Sequence, residues 1–598
     1  MLNAGVSESY NDILEHFRAG YYFMAFDEAM AALKDNPNDV SLKHISVLSL
    51  LRGGALKAAE TLFKNFELAK EMHEDILALS GRIIKGRIEE KNGPSSPSLY
   101  ADAATLYEQT YEQTRGGYSG VNAASLWYMA GDKKRARHLA QTILRSYENS
   151  GPELEVPNYY FHATRAECLF LLENEGAAAS ALKKALEVDP DNHAARATTI
   201  KQFKMLGYGE LPTCARPLQI PPCVHYTGHL FYIGEPRPER SLTAVETKTL
   251  SDEIKQMMER SPSSLAFGAL AAGADILFAE GFLDRGVDLH LVLPVPIVDF
   301  KRLSVTPMGS EWAERFEAII PQAKSIRIIL DDPGDFDALD LRMGSLIAMG
   351  LTRLTAERLS AGVQQFSVMD KQGQEAHPAG TQLDTRLWHD SGGETQNIDW
   401  PHPRQDKPTV PLPQSDRRAF RAMLFTDLKG YGGLPDRSLP DIVSQIFEPM
   451  AQKCRTLNVQ PLHIKSWGDG LFLVFETPLA AAEAAFEIMD SFNESVAAAA
   501  GGKTHNLSLR IGIHFGPVWE RPDPFTQTPN LYGRHVTTAA RLEALAVPGS
   551  ICVSENFAAM LAMQGQGAEN LICDYAGRMK SEKEETVFSL YSLRQKIG

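Results

Sequence analysis

Asp469 stands between two glycines in KSWGDGLFLVF and joins two β-type runs, which leaves this stretch few ways to fold. A tight two-stranded hairpin carrying the carboxylate at its tip satisfies both the glycines and the alternation. Upstream, the apolar run MLFTD ends on Asp427 and is expected as a buried strand. Gly430, Gly432 and Gly433 follow it and let the backbone turn closely around phosphate oxygens. A strand end and a hairpin tip can meet in space. Two hard carboxylates converging there suit Mg²⁺ or Mn²⁺, which take oxygen ligands from carboxylates and phosphates.

Further segments follow in a fixed order: LSLRIGIHFGPVW at 507–519, NLYGRHVTTAARLEAL at 530–545, then GSICVSE. A lone G-D-G arises by chance in many chains; the ordered set does not. With FTDLKGYGGL and KSWGDGLFLVF ahead of them, these segments resemble the catalytic domain of the class III adenylyl and guanylyl cyclases, over a domain expected at 418–598. The resemblance implies an α+β, ferredoxin-like fold that works as a homodimer with sites shared across the interface. It also implies conversion of a nucleoside triphosphate into a 3′,5′-cyclic nucleotide and pyrophosphate, with two divalent cations per site.

Carried over residue by residue, the resemblance makes Asp427 and Asp469 the metal ligands and Gly430 part of the phosphate turn. Lys465 falls on the base-recognising lysine; read without the family, it is an exposed strand lysine that solubilises an edge. Asn530 falls where adenylyl cyclases place Asp or Thr to accept from the exocyclic amine. Its amide can accept or donate, and it also reads as a plain turn residue after Pro529, so the base stays open. Lys465 favours ATP, while Asn530 leaves GTP or a pyrimidine triphosphate in play. Arg541 matches the arginine that offsets charge on the pentacovalent α-phosphate. Thr537, four residues earlier on the same helical face, replaces the family's ribose-orienting asparagine. Lys580, in GRMKSEKEE, matches a triphosphate-binding lysine. The competing reading is a non-catalytic nucleotide-binding or dimerisation module, which the Thr537 departure favours and the retained Asp427, Asp469 and Arg541 oppose.

At 598 residues the chain exceeds one core and implies roughly three or four domains. A net charge of −15 without a dense Lys/Arg run argues against a nucleic-acid partner. The six cysteines are scattered, with no C-x-x-C pair, which argues against a zinc site or a disulfide framework and fits a reducing compartment. No run of 18 apolar residues and no signal-like amino terminus is present, so a cytoplasmic enzyme without membrane insertion is expected.

Residues 1–208 read as helical and repeat-like. The stretches 29–63 and 181–206 each place an N-P-N-D or D-P-D-N turn between Ala/Leu-rich helices. They resemble tetratricopeptide repeats, and more narrowly the TRAFs-binding helical domain. An inert scaffold and a partner-binding solenoid give the same pattern.

Residues 209–402 change to short apolar runs between helical segments, as in an α/β domain. LAFGALAAGADILFAEGFLDRG reads as strand, glycine-rich turn and helix, with DLHLVLPV returning as a parallel strand. The stretch resembles the Rossmann-like SLOG family of nucleotide sensors. That likeness implies a nucleotide-derived ligand facing Gly228, Gly268, Gly273 and Asp275, while close packing and helix capping explain the same residues without a ligand. The proline-rich segment 403–417 is expected as a linker through which the preceding domains regulate the catalytic one.

Overall fold

The computed structural model describes residues 8–71, 73–89, 97–149, 158–231, 241–330, 337–370, 380–401, 418–499, 507–565, 567–580 and 587–596. The expected linker at 403–417 lies outside them. Helices occupy the described chain from Glu8–Ala19 to His193–Leu206. Some of their starts are set by side chains that satisfy the orphan amides of the first turn. After the N-P-N turn, Asp39 accepts from Leu42 N–H at 3.0 Å; after the D-P-D turn, Asn192 accepts from Ala195 N–H at 2.9 Å. Alanines 25, 29, 59, 103, 104, 123 and 124 are fully buried, which lets neighbouring helices approach closely. No described helix is long and apolar enough to cross a membrane.

The middle of the chain is an α/β unit around six parallel strands. These are β1 (Cys223–Gly228), β2 (Leu265–Gly268), β3 (Asp288–Leu293), β4 (Ser325–Ile328), β5 (Val363–Met369) and β6 (Thr395–Asp399), in the order β4-β3-β2-β1-β5-β6. Alternate residues enter different cores. Val224, Tyr226 and Ala266 pack with the helix Ala274–Leu283, whereas Cys223, Leu265 and Phe267 pack with Ala356 and Leu359 of the helix Ala338–Leu359. Both faces are therefore covered, the condition under which parallel strands read as near-continuous apolar runs.

The carboxy-terminal sheet comprises β7 (Arg418–Lys429), β8 (His463–Trp467), β9 (Gly470–Phe475), β10 (Ser508–Pro522), β11 (Pro529–Tyr532), β12 (Ile551–Ser554), β13 (Leu571–Lys580) and β14 (Val587–Gln595). Its order is β13-β14-β12-β10-β7-β9-β8, with β11 added to β10. Antiparallel β7 and β10 form its spine, pairing from Ser508↔Lys429 to Trp519↔Arg418.

One apolar core runs through all three regions. It joins Phe26 and Val47 from the first helices, Met343, Leu346 and Ile347 from Ala338–Leu359, and Leu424, Leu473, Ile511 and Phe557 around the last sheet. At the crossing of Ala338–Leu359 with Glu555–Ala562, a Cβ on Gly350 would stand 2.2 Å from the Ala559 carbonyl oxygen, so only glycine permits the approach. Polar ties flank it: Arg327 pairs with Glu555 at 2.9 Å, Arg418 with Asp337 and Asp340 at 2.8 Å each, and Tyr575 with Asp27.

Candidate active site

Asp427 occupies β7 opposite Arg510 of β10. The Arg510 guanidinium donates to the Asp427 carboxylate and also reaches Glu543 at 3.1 Å, on the helix Arg534–Leu545. Asp469 lies where the hairpin expectation puts it: β8 and β9 close at Trp467↔Gly470, and Gly468 adopts φ +58° to make the turn. The hairpin is stapled to β7 by Leu471 N–H donating to Thr426 Oγ1 at 3.1 Å, one residue before Asp427.

The pairing of Thr426 with Leu471 sets the two carboxylates at adjoining positions of β7 and the hairpin. Burial raises the Asp469 carboxyl above its usual range, and the charge on Asp427 raises it further. Glu543 is pushed up to about 7 by burial, against the lowering effect of Arg510. A cation beside Asp427 and Asp469 would relieve that repulsion, so the donor set fits a hard divalent ion. Among the described residues no group of three or more His, Cys, Asp or Glu forms a closed cage. Oxygen ligands from phosphate and water would complete such a site. The turn beside it is open: Gly430 takes φ +97°, and a Cβ on Gly432, Gly433 or Gly468 would meet nothing within 4 Å.

A second cluster forms on the same sheet. Lys465 of β8 is exposed and reaches Asp523 at 3.6 Å; Asn530 of β11 donates to the same carboxylate at 3.3 Å. The backbone amide of Phe525, then that of Thr526 and the Lys465 charge, hold the Asp523 carboxyl below its usual range. Thr537 and Arg541 lie on the outer side of the helix Arg534–Leu545, Thr537 exposed and Arg541 half-buried, while His535, Thr538, Ala539 and Leu542 face inward. Lys580 ends β13, paired with Val587, and its side chain lies outside the described residues.

The helix bearing Thr537 and Arg541 is anchored by two buried histidines. His514 and His535 stack with 5.0 Å between ring centres and share a hydrogen bond of 2.8 Å; His514 also bonds Ser554. Burial pushes His535 down to about 4 and holds His514 well below its usual range, so both are neutral at pH 7. Arg510, Glu543, Asp523 and this pair escape a reading of the sequence. An arginine in the apolar alternation of LSLRIGIHFG is the one signal that hints at Arg510; Asp523 gives none.

In the middle region, Gly228 and Gly268 end β1 and β2, and Gly273 precedes the helix Ala274–Leu283. A Cβ would strike Ala274 Cβ at 2.3 Å from Gly228, the Tyr226 ring at 2.6 Å from Gly268, and Phe231 N at 2.6 Å from Gly273, which also adopts φ +108°. Asp275 is buried and accepts from Ala271 N–H at 3.3 Å, stapling the turn ahead of its helix.

Two regions of the chain match known families. Residues 415–591 match the adenylate and guanylate cyclase catalytic domain, and residues 25–127 match the Tetratricopeptide Repeats-Sensor family. An adenylate cyclase of Podospora anserina is 28% identical over 156 residues, which are 23% of this chain and 7% of that one. The chain thus spans a small fraction of that relative's length. The adenylyl cyclase CyaB from P. aeruginosa aligns over 31% of this chain and 99% of its own, at 18% identity and a TM-score of 0.26. Adenylate cyclases from Trypanosoma brucei, solved in their monomeric state, align over 30% of this chain and 88% of theirs, at 21% identity and a TM-score of 0.25. The carboxy-terminal region is therefore a class III nucleotide cyclase catalytic domain, and the amino-terminal helices include a tetratricopeptide-type sensor domain.

Proposed function

We propose that the protein converts ATP into 3′,5′-cyclic AMP and pyrophosphate, in a homodimer regulated by the regions ahead of the catalytic domain. The observation that carries this reading is the meeting of Asp427, on a central strand, with Asp469, at a hairpin tip, beside an unfilled glycine turn. Two Mg²⁺ or Mn²⁺ ions held by these carboxylates would supply Lewis acidity for the ribose 3′-hydroxyl and charge neutralisation for the phosphates.

The chain's own residues do the rest. Gly430 and its neighbours let backbone amides approach the phosphates, with Lys580 as a further cationic contact. Arg541 offsets the charge that grows on the α-phosphate as the 3′-oxygen attacks in line. Thr537 orients the ribose with one hydroxyl, a shorter reach than an amide gives. Lys465 donates to the base, and Asn530 meets its exocyclic group. Arg510 positions Asp427 and is itself steadied by Glu543.

A second reading, a non-catalytic nucleotide-binding module, draws on Thr537 standing where the family has asparagine. Incubating the purified protein with each of the four ribonucleoside triphosphates and Mn²⁺, then identifying products, separates the two: cyclic AMP and pyrophosphate are expected, and no cyclic product from any nucleotide would leave the module reading. GTP or a pyrimidine triphosphate as the best substrate would revise the base alone.

For the middle region we propose a SLOG-like sensor of a nucleotide-derived ligand. Support comes from Gly228 and Gly268 at the carboxyl ends of β1 and β2, with Gly273 and Asp275 at the start of the helix that follows β2, the end of such sheets where ligands bind. Partner binding by the amino-terminal helices is proposed on the sensor-family match.

A further inference from the structure

The amide of Asn530 can present either its oxygen or its nitrogen to a base, and local sequence does not choose between them. The fold does. Asn530 sits on β11, paired with Arg521 of β10, and its Nδ2 donates to Asp523 Oδ2 at 3.3 Å. A carboxylate only accepts, so the edge turned toward Asp523 must be the NH₂. The carbonyl oxygen is then the acceptor kept for a ligand.

Asp523 itself cannot turn away. Its Oδ1 takes the backbone amides of Phe525 at 2.8 Å and Thr526 at 3.3 Å. Its backbone is closed by Asp523 N–H donating to Thr528 O at 2.7 Å and by Gln527 N–H donating to Asp523 O at 2.8 Å. The residue is 8% exposed inside an otherwise exposed loop. Lys465, on the other side, reaches the same Oδ2 at 3.6 Å and keeps further N–H donors for a ligand.

We infer that Asp523 is a specificity-determining residue that fixes the Lys465–Asn530 pair as one donor beside one acceptor, and so selects a base offering a ring-nitrogen acceptor beside an exocyclic amine. This deepens the proposed cyclase reading and rests on it. Adenine offers that pattern. Cytosine offers it on a smaller ring, so CTP is the expected second choice. Guanine and uracil present the reverse, an N–H beside a carbonyl, which would set oxygen against the Asn530 oxygen and N–H against the Lys465 ammonium. A site built on hydrogen bonds rejects such a mismatch strongly, because its polar groups are left unpaired.

The test measures kcat/KM for ATP, GTP, CTP and UTP with Mn²⁺, and equilibrium displacement of a fluorescent ATP analogue by each nucleotide, in the full-length protein and in two variants. The first is Asp523→Asn, whose own amide can donate and so frees Asn530 to turn over. The second combines Asp523→Asn with Asn530→Asp, which moves the carboxylate to position 530 and leaves it an obligate acceptor. For the natural chain, ATP is expected to exceed GTP by about 100-fold. Asp523→Asn should narrow that ratio at least about tenfold, and the exchange should restore most of it. A loop that merely lost a structural contact would not be rescued by moving the charge. Melting curves of each variant show that it is folded.

An unchanged ATP-to-GTP ratio in folded Asp523→Asn, or failure of the exchange to restore it, overturns the inference while leaving the cyclase reading intact. If no nucleotide is cyclised, the displacement data decide separately. An ATP preference that depends on Asp523 upholds the base-selecting role without cyclase activity. Binding without preference, or no binding, overturns it.

Discussion

Two glycine-rich turns look alike as text and differ in space. In the middle region, the places that Cβ atoms would take at Gly228, Gly268 and Gly273 are already held by Ala274, Tyr226 and Phe231. In the catalytic region, Gly432, Gly433 and Gly468 adjoin nothing within 4 Å. The middle glycines stand where a side chain would collide with protein; the catalytic glycines stand where one would meet only open space. The aspartates follow suit. Asp275 is buried and staples its own turn, while Asp427 and Asp469 are half-buried at an open edge. Composition cannot distinguish a packed glycine from an exposed one.

The sharpest consequence concerns the open turn. Asp427→Ala and Asp469→Ala should each lower cyclisation at least about 1000-fold, about 4 kcal/mol in barrier, and shift stability by less than about 1 kcal/mol. Product assays and denaturant melts read both quantities; a variant of either kind that keeps its activity removes the carboxylates from the chemistry. A shared site adds a second consequence. Inactive Asp427→Ala mixed with inactive Arg541→Ala should recover part of the activity, because a heterodimer rebuilds one complete site. Mixed dimers that form yet stay inactive would place all the residues within one chain.

The glycines themselves give the most direct contrast. Gly268→Ala drives a methyl into the Tyr226 ring and should cost about 1–3 kcal/mol of stability, whereas Gly432→Ala should stay within about 0.5 kcal/mol and slow turnover instead. Equal destabilisation by the two would erase the distinction between filled and open turns.

Asp275 carries a pH signature. Burial pushes its carboxyl up to about 7 from 3.8, with Asp384 adding and the Ala271 amide subtracting. Between those values the folded chain holds a proton that the unfolded chain releases. Stability therefore falls as pH rises through this window, at its steepest by about 1.4 kcal/mol per pH unit. Asp275→Asn should flatten that slope and melt above the natural protein at pH 8. Parallel curves for the two would show that Asp275 is ionised in the fold.

The smallest effect is expected at Thr537. Thr537→Asn adds an amide on the exposed face of the Arg541 helix, and one hydrogen bond formed near the transition state is worth about 1 kcal/mol, several-fold in kcat with little change in KM. A slower variant would mean that another group orients the ribose.

Local signals were legible where short-range physics sets the structure. The Gly468-Asp469 turn, the N-P-N-D and D-P-D-N turns between helices, and the return from β2 through its helix to β3 all depend on residues a few positions apart. β5 and β6 were not legible, because VQQFSVM and TQNID carry polar residues inside the fold. Gln365 is buried and bonds His225 at 3.0 Å and Thr395 at 2.8 Å, partners supplied by neighbouring strands. The candidate site divides the same way. The motifs name Asp427 and Asp469, and the family resemblance names Lys465, Asn530 and Arg541, but neither says what each of them touches.

By itself the sequence determined the helical first part, the alternating strands and helices of the middle, the aspartate hairpin of the last part and the chemistry those carboxylates can support. Each follows from periodicity, turn residues and side-chain type, which act over a few residues. Tertiary structure alone decided that Arg510 bridges Asp427 and Glu543, that Asp523 orients Asn530, and that one core passes from Phe26 through Met343 to Leu424. Those contacts join residues far apart in the chain. Their energies depend on burial and on which charges face each other, and neither quantity exists until the chain has folded.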